Sequence, residues 1–239
     1  MSKPVSGNIH PGPGFRVGAS VEQLPAELVD RFRAFETPDI SDQLNRLYAV
    51  DPAIHCLTGP DHSLCGPVIT VNVFPGDNLL VHKVLDIARP GDVVVINGHG
   101  PGTNAVLGDT ICTKAQHRGI QGFIVDGMAR DLTGIRKLDY PVYARGTTPV
   151  GPLHRGPGEI NYPIACGGVV VNTGDLIVAD NSGIVVIPRG IAMELSGRLQ
   201  AQREEQAAYL ESVERGVFSN AWVDEILDGL DCPRAVETE

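Results

Sequence analysis

The chain has 239 residues, 42% of them hydrophobic, and its 19 Lys and Arg against 29 Asp and Glu leave a net charge of −10. That length is enough for one large hydrophobic core, and that acidity excludes phosphate-backbone binding, which needs a basic footprint. A divalent cation or a basic protein suits such a chain better. The sequence offers neither an apolar run near the ~18 residues of a membrane span nor the apolar core of a secretory leader.

The first stretch, to about residue 19, is rich in Gly and Pro and reads as an irregular arm. Ser20 is placed to cap a helix over residues 21–35, with Glu22 and Glu27 in its early turns. A second short helix is expected over residues 42–47, after Pro38 and Ser41. Residues 67–74 alternate like a strand, and 79–87 have helical apolar spacing that stops before Pro90. Gly91-Asp-Val-Val-Val-Ile-Asn97 is a buried β-run closed by Gly98-His-Gly-Pro-Gly102. Residues 104–118 then read as a helix stopped by Gly119, residues 122–127 as a second buried strand, 131–138 as a short helix and 142–145 as a short strand. This alternation predicts parallel β-α-β units and an α/β fold.

After Pro149 the pattern changes to a long irregular loop over residues 149–163. Three apolar runs, 168–171, 176–179 and 184–187, are joined by turns and predict a β-meander. From Arg189 onward the chain is helical, and its 11 acids against 5 Arg carry −6 of the net charge. The expected organisation is an arm over 1–19, one α/β domain over 20–188, and a helical segment over 189–239 that packs on the domain or on a neighbouring subunit. The five cysteines form no C-x-x-C pair, which fits reduced thiols in a cytoplasmic protein. Cys112 and Cys166 lie in apolar stretches and read as small core residues.

Ionisable residues concentrate between Gly98 and Asp131, across one β-α-β unit. Ligands of open α/β sheets bind beyond the carboxyl ends of the strands, where both loops of this unit lie. Backbone amides near Leu107, Gly108 and Asp109 are placed to receive an anion at a helix start. With no phosphate-loop motif in the sequence, a small carboxylate is a better ligand than a nucleotide. Arg130 and Asp131 read either as a surface charge and a helix cap, or as a carboxylate clamp and a Mg²⁺ ligand. Asp126 reads as a cap of its turn and His99 as a loop residue, while His154, Arg155 and Glu159 read as a lid or an ordinary surface loop. Lys114 falls mid-helix, which argues against imine chemistry and for metal-assisted enolate chemistry.

The stretch from Gly91 to Pro188 resembles the family of the regulator of ribonuclease activity A (RraA), specifically its class II pyruvate aldolase branch. The resemblance rests on Leu107-Gly-Asp109, on Gly119-Ile-Gln-Gly-Phe-Ile-Val-Asp-Gly-Met-Ala-Arg-Asp131, on Pro141-Val-Tyr-Ala-Arg145, and on Gly174-Asp-Leu-Ile-Val-Ala-Asp through Pro188. The aldolase signature is an Asp, twenty residues, then Arg-Asp, and Asp109 with Arg130-Asp131 fits it. The resemblance implies a β/β/α fold like the swivelling phosphohistidine domain, assembled as a homotrimer or homohexamer. It implies cleavage of 4-hydroxy-4-methyl-2-oxoglutarate, 4-carboxy-4-hydroxy-2-oxoadipate or a similar 4-hydroxy-2-oxo acid to pyruvate, or decarboxylation of oxaloacetate, with Mg²⁺ or Mn²⁺. Arg130 would bind substrate and stabilise the enolate. Asp131 would hold the metal, and the amides of Gly108, Asp109, Thr110 and Ile111 would receive the pyruvate carboxylate. An Asp109-held or metal-bound water would carry the proton. The sequence departs from the pattern at Gly134, where several aldolases carry an acid. A second acid is expected from a neighbour's C-terminal helix, through Glu204 or Glu205. The other function the family implies is that of a non-catalytic acidic oligomer regulating a ribonuclease-type partner.

Overall fold

The computed structural model describes residues 7–233; residues 1–6 of the arm and 234–239 of the helical segment lie outside the described residues. The chain opens with β1 (Phe15–Val17), α1 (Ala26–Phe32), α2 (Thr37–Gln43), β2 (His55–Cys56) and β3 (Leu64–Val73). Then come α3 (Leu79–Val84), β4 (Val93–Asn97), β5 (Ala105–Leu107), α4 (Asp109–His117), β6 (Gly122–Ala129), α5 (Leu132–Lys137) and β7 (Val142–Thr147). The chain continues through β8 (Gly158–Ile160), β9 (Ile164–Cys166), β10 (Val169–Val171), β11 (Leu176–Asp180) and β12 (Gly183–Ile187) to α6 (Ala192–Glu214) and α7 (Ala221–Gly229).

A mixed ten-stranded sheet organises the first of two compact units, residues 1–199. Its centre is the parallel run β3-β4-β6-β7, as the buried runs and intervening helices predict. Strand alternation divides the core. Val94, Ile96, Phe123 and Val125 point to the face covered by α3, α4 and α5. Val93, Val95 and Ile124 point to the opposite face, which packs on β9, β10 and the β11–β12 hairpin. A third cluster joins α1 and α2 to the first turns of α6 through Phe32, Ile40, Leu195 and Leu199. The second unit, residues 200–239, comprises the rest of α6 and α7 and exposes Tyr209, Leu210, Trp222 and Ile226.

Several expected boundaries move. The first helix does not begin at Ser20: Pro25 occupies the position before its first turn, so only Ala26–Phe32 is helical. The second begins at Thr37, with Pro38 in its opening turn, and ends where Asn45 and Arg46 take positive φ. The arm is not wholly irregular, because β1 pairs with β8, a strand inside the expected 149–163 loop. The meander is two hairpins: β10 pairs with β9, and β11 pairs with β12 and β3. Cys112 and Cys166 are buried core residues, as expected, and burial pushes both thiols up to about 12.

Candidate active site

The most consequential departure is β5. Residues 104–107 are not the start of a helix; Ala105–Leu107 forms a short strand parallel to β6, and α4 starts only at Asp109. β6 in turn runs past the expected Gly127 to Ala129. The Arg130 amide donates to Leu107 O at 3.0 Å, so Arg130-Asp131 lies directly beside Gly108 and the first turn of α4. The twenty residues between Asp109 and Arg130 are the rest of α4 and the whole of β6, which together bring the chain back beside Gly108.

A cavity of about 220 Å³ opens here, lined on this side by Leu107, Gly108, Thr110, Ile111, Arg130 and Asp131. The positive end of the nine-residue α4 helix faces it. The Ile111 amide is already engaged, donating to Gly108 O at 3.1 Å. Of the expected anion donors, Gly108, Asp109 and Thr110 therefore carry the stronger claim.

Arg130 Nε stands 3.2 Å from Asp131 Oδ2, and the two side chains are 41% and 44% exposed, open enough to meet a ligand. Asp131 occupies the position before α5 but makes no capping hydrogen bond, so the capping reading fails. Its backbone is left-handed at φ 55°, ψ 35°, a conformation that costs a non-glycine residue about 1 kcal/mol or more and clusters at functional sites. Its carboxylate presses on Gly108, where a side chain would collide with Asp131 Oδ2. Gly151 does the same for Arg130, whose Nη1 fills the space of a Gly151 side chain.

Asp109 is not on the cavity wall. Its carboxylate accepts from the Thr110 hydroxyl at 3.3 Å and packs where a side chain at position 134 would stand. The departure at Gly134 thus has a steric cause. Asp109 Oδ2 occupies that space, so its carboxylate is turned toward Gly134.

The opposite wall holds Asn78, His82, Pro152 and His154. Of these the sequence marks only His154, as part of a lid or an ordinary surface loop; for the rest the one signal is the Asp77-Asn78 pair before a helix, with His82 one turn on. The 149–155 loop that carries His154 is fastened, not free. Asn104 Nδ2 donates to Gly151 O at 2.7 Å, Leu153 N to Gly76 O at 2.8 Å, and Arg155 N to Asp77 Oδ2 at 2.6 Å. Glu159 pairs with Arg16 at 2.6 Å within the sheet and belongs to no lid. His99 sits in an exposed turn at φ 65°. Asp126 lies outside the cavity: it binds Arg145 Nε at 2.5 Å and accepts from Gly167 N at 2.7 Å, tying β6 and β7 to the β9–β10 turn.

A model of the RraA-like family, described as Aldolase/RraA, matches residues 37–186, a span that includes the whole cavity wall. The chain belongs to the RraA-like family. A relative from Halalkalibacterium halodurans, provisionally named a 4-hydroxy-4-methyl-2-oxoglutarate aldolase, is 40% identical over 200 residues, covering 84% of this chain and 93% of that protein. A Hahella chejuensis relative with the same provisional name is 36% identical over 159 residues, covering 66% and 96%. Among solved structures, RraAS2 of Streptomyces coelicolor, titled an unusual member of the RNase ES inhibitor RraA family, superimposes with a TM-score of 0.72 at 27% identity, covering 79% and 98%. The RNA-processing inhibitor RraA from Thermus superimposes at 0.60 with 31% identity, covering 64% and 93%.

In this RraA-like chain the Arg130-Asp131 pair, the α4 amides and the two histidines face one another across a single small cavity. The arrangement can hold a carboxylate against a helix start, place a guanidinium fork on a second oxygen, and leave one acid open to a cation.

Proposed function

We propose that this protein is a metal-dependent carbon–carbon lyase that cleaves a 4-hydroxy-2-oxo acid to pyruvate and a carbonyl compound, or decarboxylates oxaloacetate. Both reactions pass through a pyruvate enolate. The observation that carries the reading is the convergence of Arg130, Asp131 and the first turn of α4 on one cavity. The provisional aldolase names of its relatives support it.

The pyruvate carboxylate is received by the amides of Gly108, Asp109 and Thr110. Arg130 adds its fork to the same ligand, on the 2-oxo oxygen where negative charge develops. Asp131 is the residue that would hold Mg²⁺ or Mn²⁺. Its exposed carboxylate suits a hard cation that keeps most of its waters, and no group of three His, Cys, Asp or Glu converges among the described residues to make a closed cage. When bound, such a cation supplies positive charge that stabilises the enolate oxygen. The proposal extends to assembly as a trimer or hexamer in which Glu204 or Glu205, both exposed on α6, reaches a neighbour's site.

A second reading, an acidic regulator of a ribonuclease-type enzyme, is supported by the inhibitor names of the solved RraA relatives, while the net charge of −10 is compatible with both readings. A coupled assay of pyruvate release from a panel of 2-oxo acids, with and without Mg²⁺, separates the two. Metal-dependent release supports the lyase; none from any substrate leaves the regulator.

A further inference from the structure

The lyase reading needs a proton carrier, and no protein side chain has yet been given that part. Cleavage must remove a hydrogen from the substrate's 4-hydroxyl and deliver one to C3 of the enolate. The Asp109 carboxylate is turned onto Gly134 and away from the cavity. Asp131 is already assigned to the cation, and Arg130 stays protonated. Besides a metal-bound water, the wall offers the ring nitrogens of His82 and His154 to take and return a proton.

The two histidines are not equivalent. His154 Nδ1 lies 2.6 Å from Asn78 Oδ1, an acceptor, so Nδ1 donates and the lone pair of the neutral ring falls on Nε2. Asn78 is only 2% exposed, and its backbone N–H donates to Leu153 O at 2.9 Å, which holds the orienting residue and the loop in one piece. His154 is also exposed and can exchange protons with water. His82 is half-buried on α3 and meets the His154 ring edge-on, 5.5 Å between centroids. Burial first, then the charges of Lys114 and His154, lower its pKa, so it stays neutral beside its partner.

We propose that His154, oriented by Asn78, is the proton-carrying catalytic residue of the cleavage reaction. This rests on the lyase reading. His154 Nε2 takes the 4-hydroxyl hydrogen, the freed oxygen pair becomes the carbonyl bond of the departing product, and the C3–C4 bond breaks with its pair left on the enolate. After that product leaves, the imidazolium returns the same hydrogen to C3, giving pyruvate and neutral His154. No oxidant or co-reactant is required. Decarboxylation of oxaloacetate starts from a carboxylate, loses CO₂ with no hydroxyl hydrogen to remove, and its enolate takes the C3 hydrogen from solvent water, so it depends on His154 far less.

The test measures 4-hydroxy-4-methyl-2-oxoglutarate cleavage and oxaloacetate decarboxylation in wild type, His154→Ala and His154→Gln at saturating Mg²⁺, with and without added imidazole. Cleavage is expected to fall ~100-fold or more in both variants, in the range of a general base. Decarboxylation is expected to fall less than ~5-fold, and imidazole to restore cleavage in His154→Ala. The Gln amide can still donate to Asn78 Oδ1, so His154→Gln reports the same loss with the loop fastened. Unchanged cleavage in either variant, or an equal fall of both reactions without imidazole rescue, overturns the assignment while leaving the lyase reading intact. Wild-type protein inactive on every 2-oxo acid overturns the lyase reading itself, and the proton role with it.

Discussion

Two Arg–Asp constellations meet at β6, one through Asp126 within the strand and one just past its end at Arg130-Asp131, and they are built for opposite ends. Asp126 is closed: Arg145 stands 2.5 Å away on one oxygen, Gly167 N donates to the other, and the Arg145 and Asp126 side chains are only 15% and 12% exposed. Arg145 reaches on to Asp51 at 2.7 Å, and these two carboxylates hold its guanidinium firmly protonated. Arg130 and Asp131 are open: longer contact, more solvent, a left-handed backbone and a cavity in front. A saturated pair has no valence left for a ligand and works as a fastener. An unsaturated pair, seated in space that Gly108 and Gly151 leave open and with Asp131 in a costly backbone conformation, is placed for something that is not part of the chain.

The sharpest way to break this contrast is at Asp131. Asp131→Asn keeps the shape and the tolerance of left-handed backbone but removes the charge. Lyase activity is expected to fall at least ~100-fold with the melting temperature nearly unchanged. Full activity in the variant, or in EDTA, contradicts the metal role. Asp126→Asn should do the reverse. Breaking a largely buried pair is expected to cost about 3 kcal/mol in denaturant unfolding, while activity per folded molecule stays within a few-fold of wild type.

A smaller effect is expected from Gly151→Ala. The new methyl displaces Arg130 Nη1, the far end of a flexible side chain, so stability should hold while kcat drops ~10-fold through misplacement of the fork. A normal kcat would show that Arg130 does not need this seat.

The smallest concerns acid. The Ala53 amide, then Arg145, holds the Asp51 carboxyl below its ordinary value of 3.8. Because the folded value is depressed, its contribution is present above about pH 3.8 and is lost as pH falls through the folded value. Melting curves from pH 5 to pH 2 should therefore fall less steeply in Asp51→Asn than in wild type. Parallel curves would remove Asp51 from the fastener.

How much of this was legible in the sequence differs between the two walls of the cavity. The Arg130 wall was readable because it is local: buried runs at 93–97 and 122–127 bracket a helix, and glycines mark where the backbone must turn. Even there β5 was hidden, since three residues after a Gly/Pro-rich turn carry too little periodicity to separate strand from helix. The Asn78–His154 wall was illegible. Its residues lie 76 apart in sequence, and the bond between them depends on a loop fastened by Asp77. The β1–β8 pairing escaped for the same reason, because long-range pairing of three-residue strands leaves no local pattern. The roles of Asp109 and Gly134 turn on one steric contact that only coordinates display.

The central claim, that the open pair is the chemical one, is tested most directly at Arg130. Lys keeps the charge there but loses the planar fork. Oxaloacetate decarboxylation at saturating Mg²⁺ is to be measured for wild type and Arg130→Lys. The account predicts a kcat lower by ~100-fold to 1,000-fold in the variant, the range for one oxyanion donor, with a smaller change in KM. Equal rates in the two proteins, or no metal-dependent rate above the buffer blank in either, would contradict it.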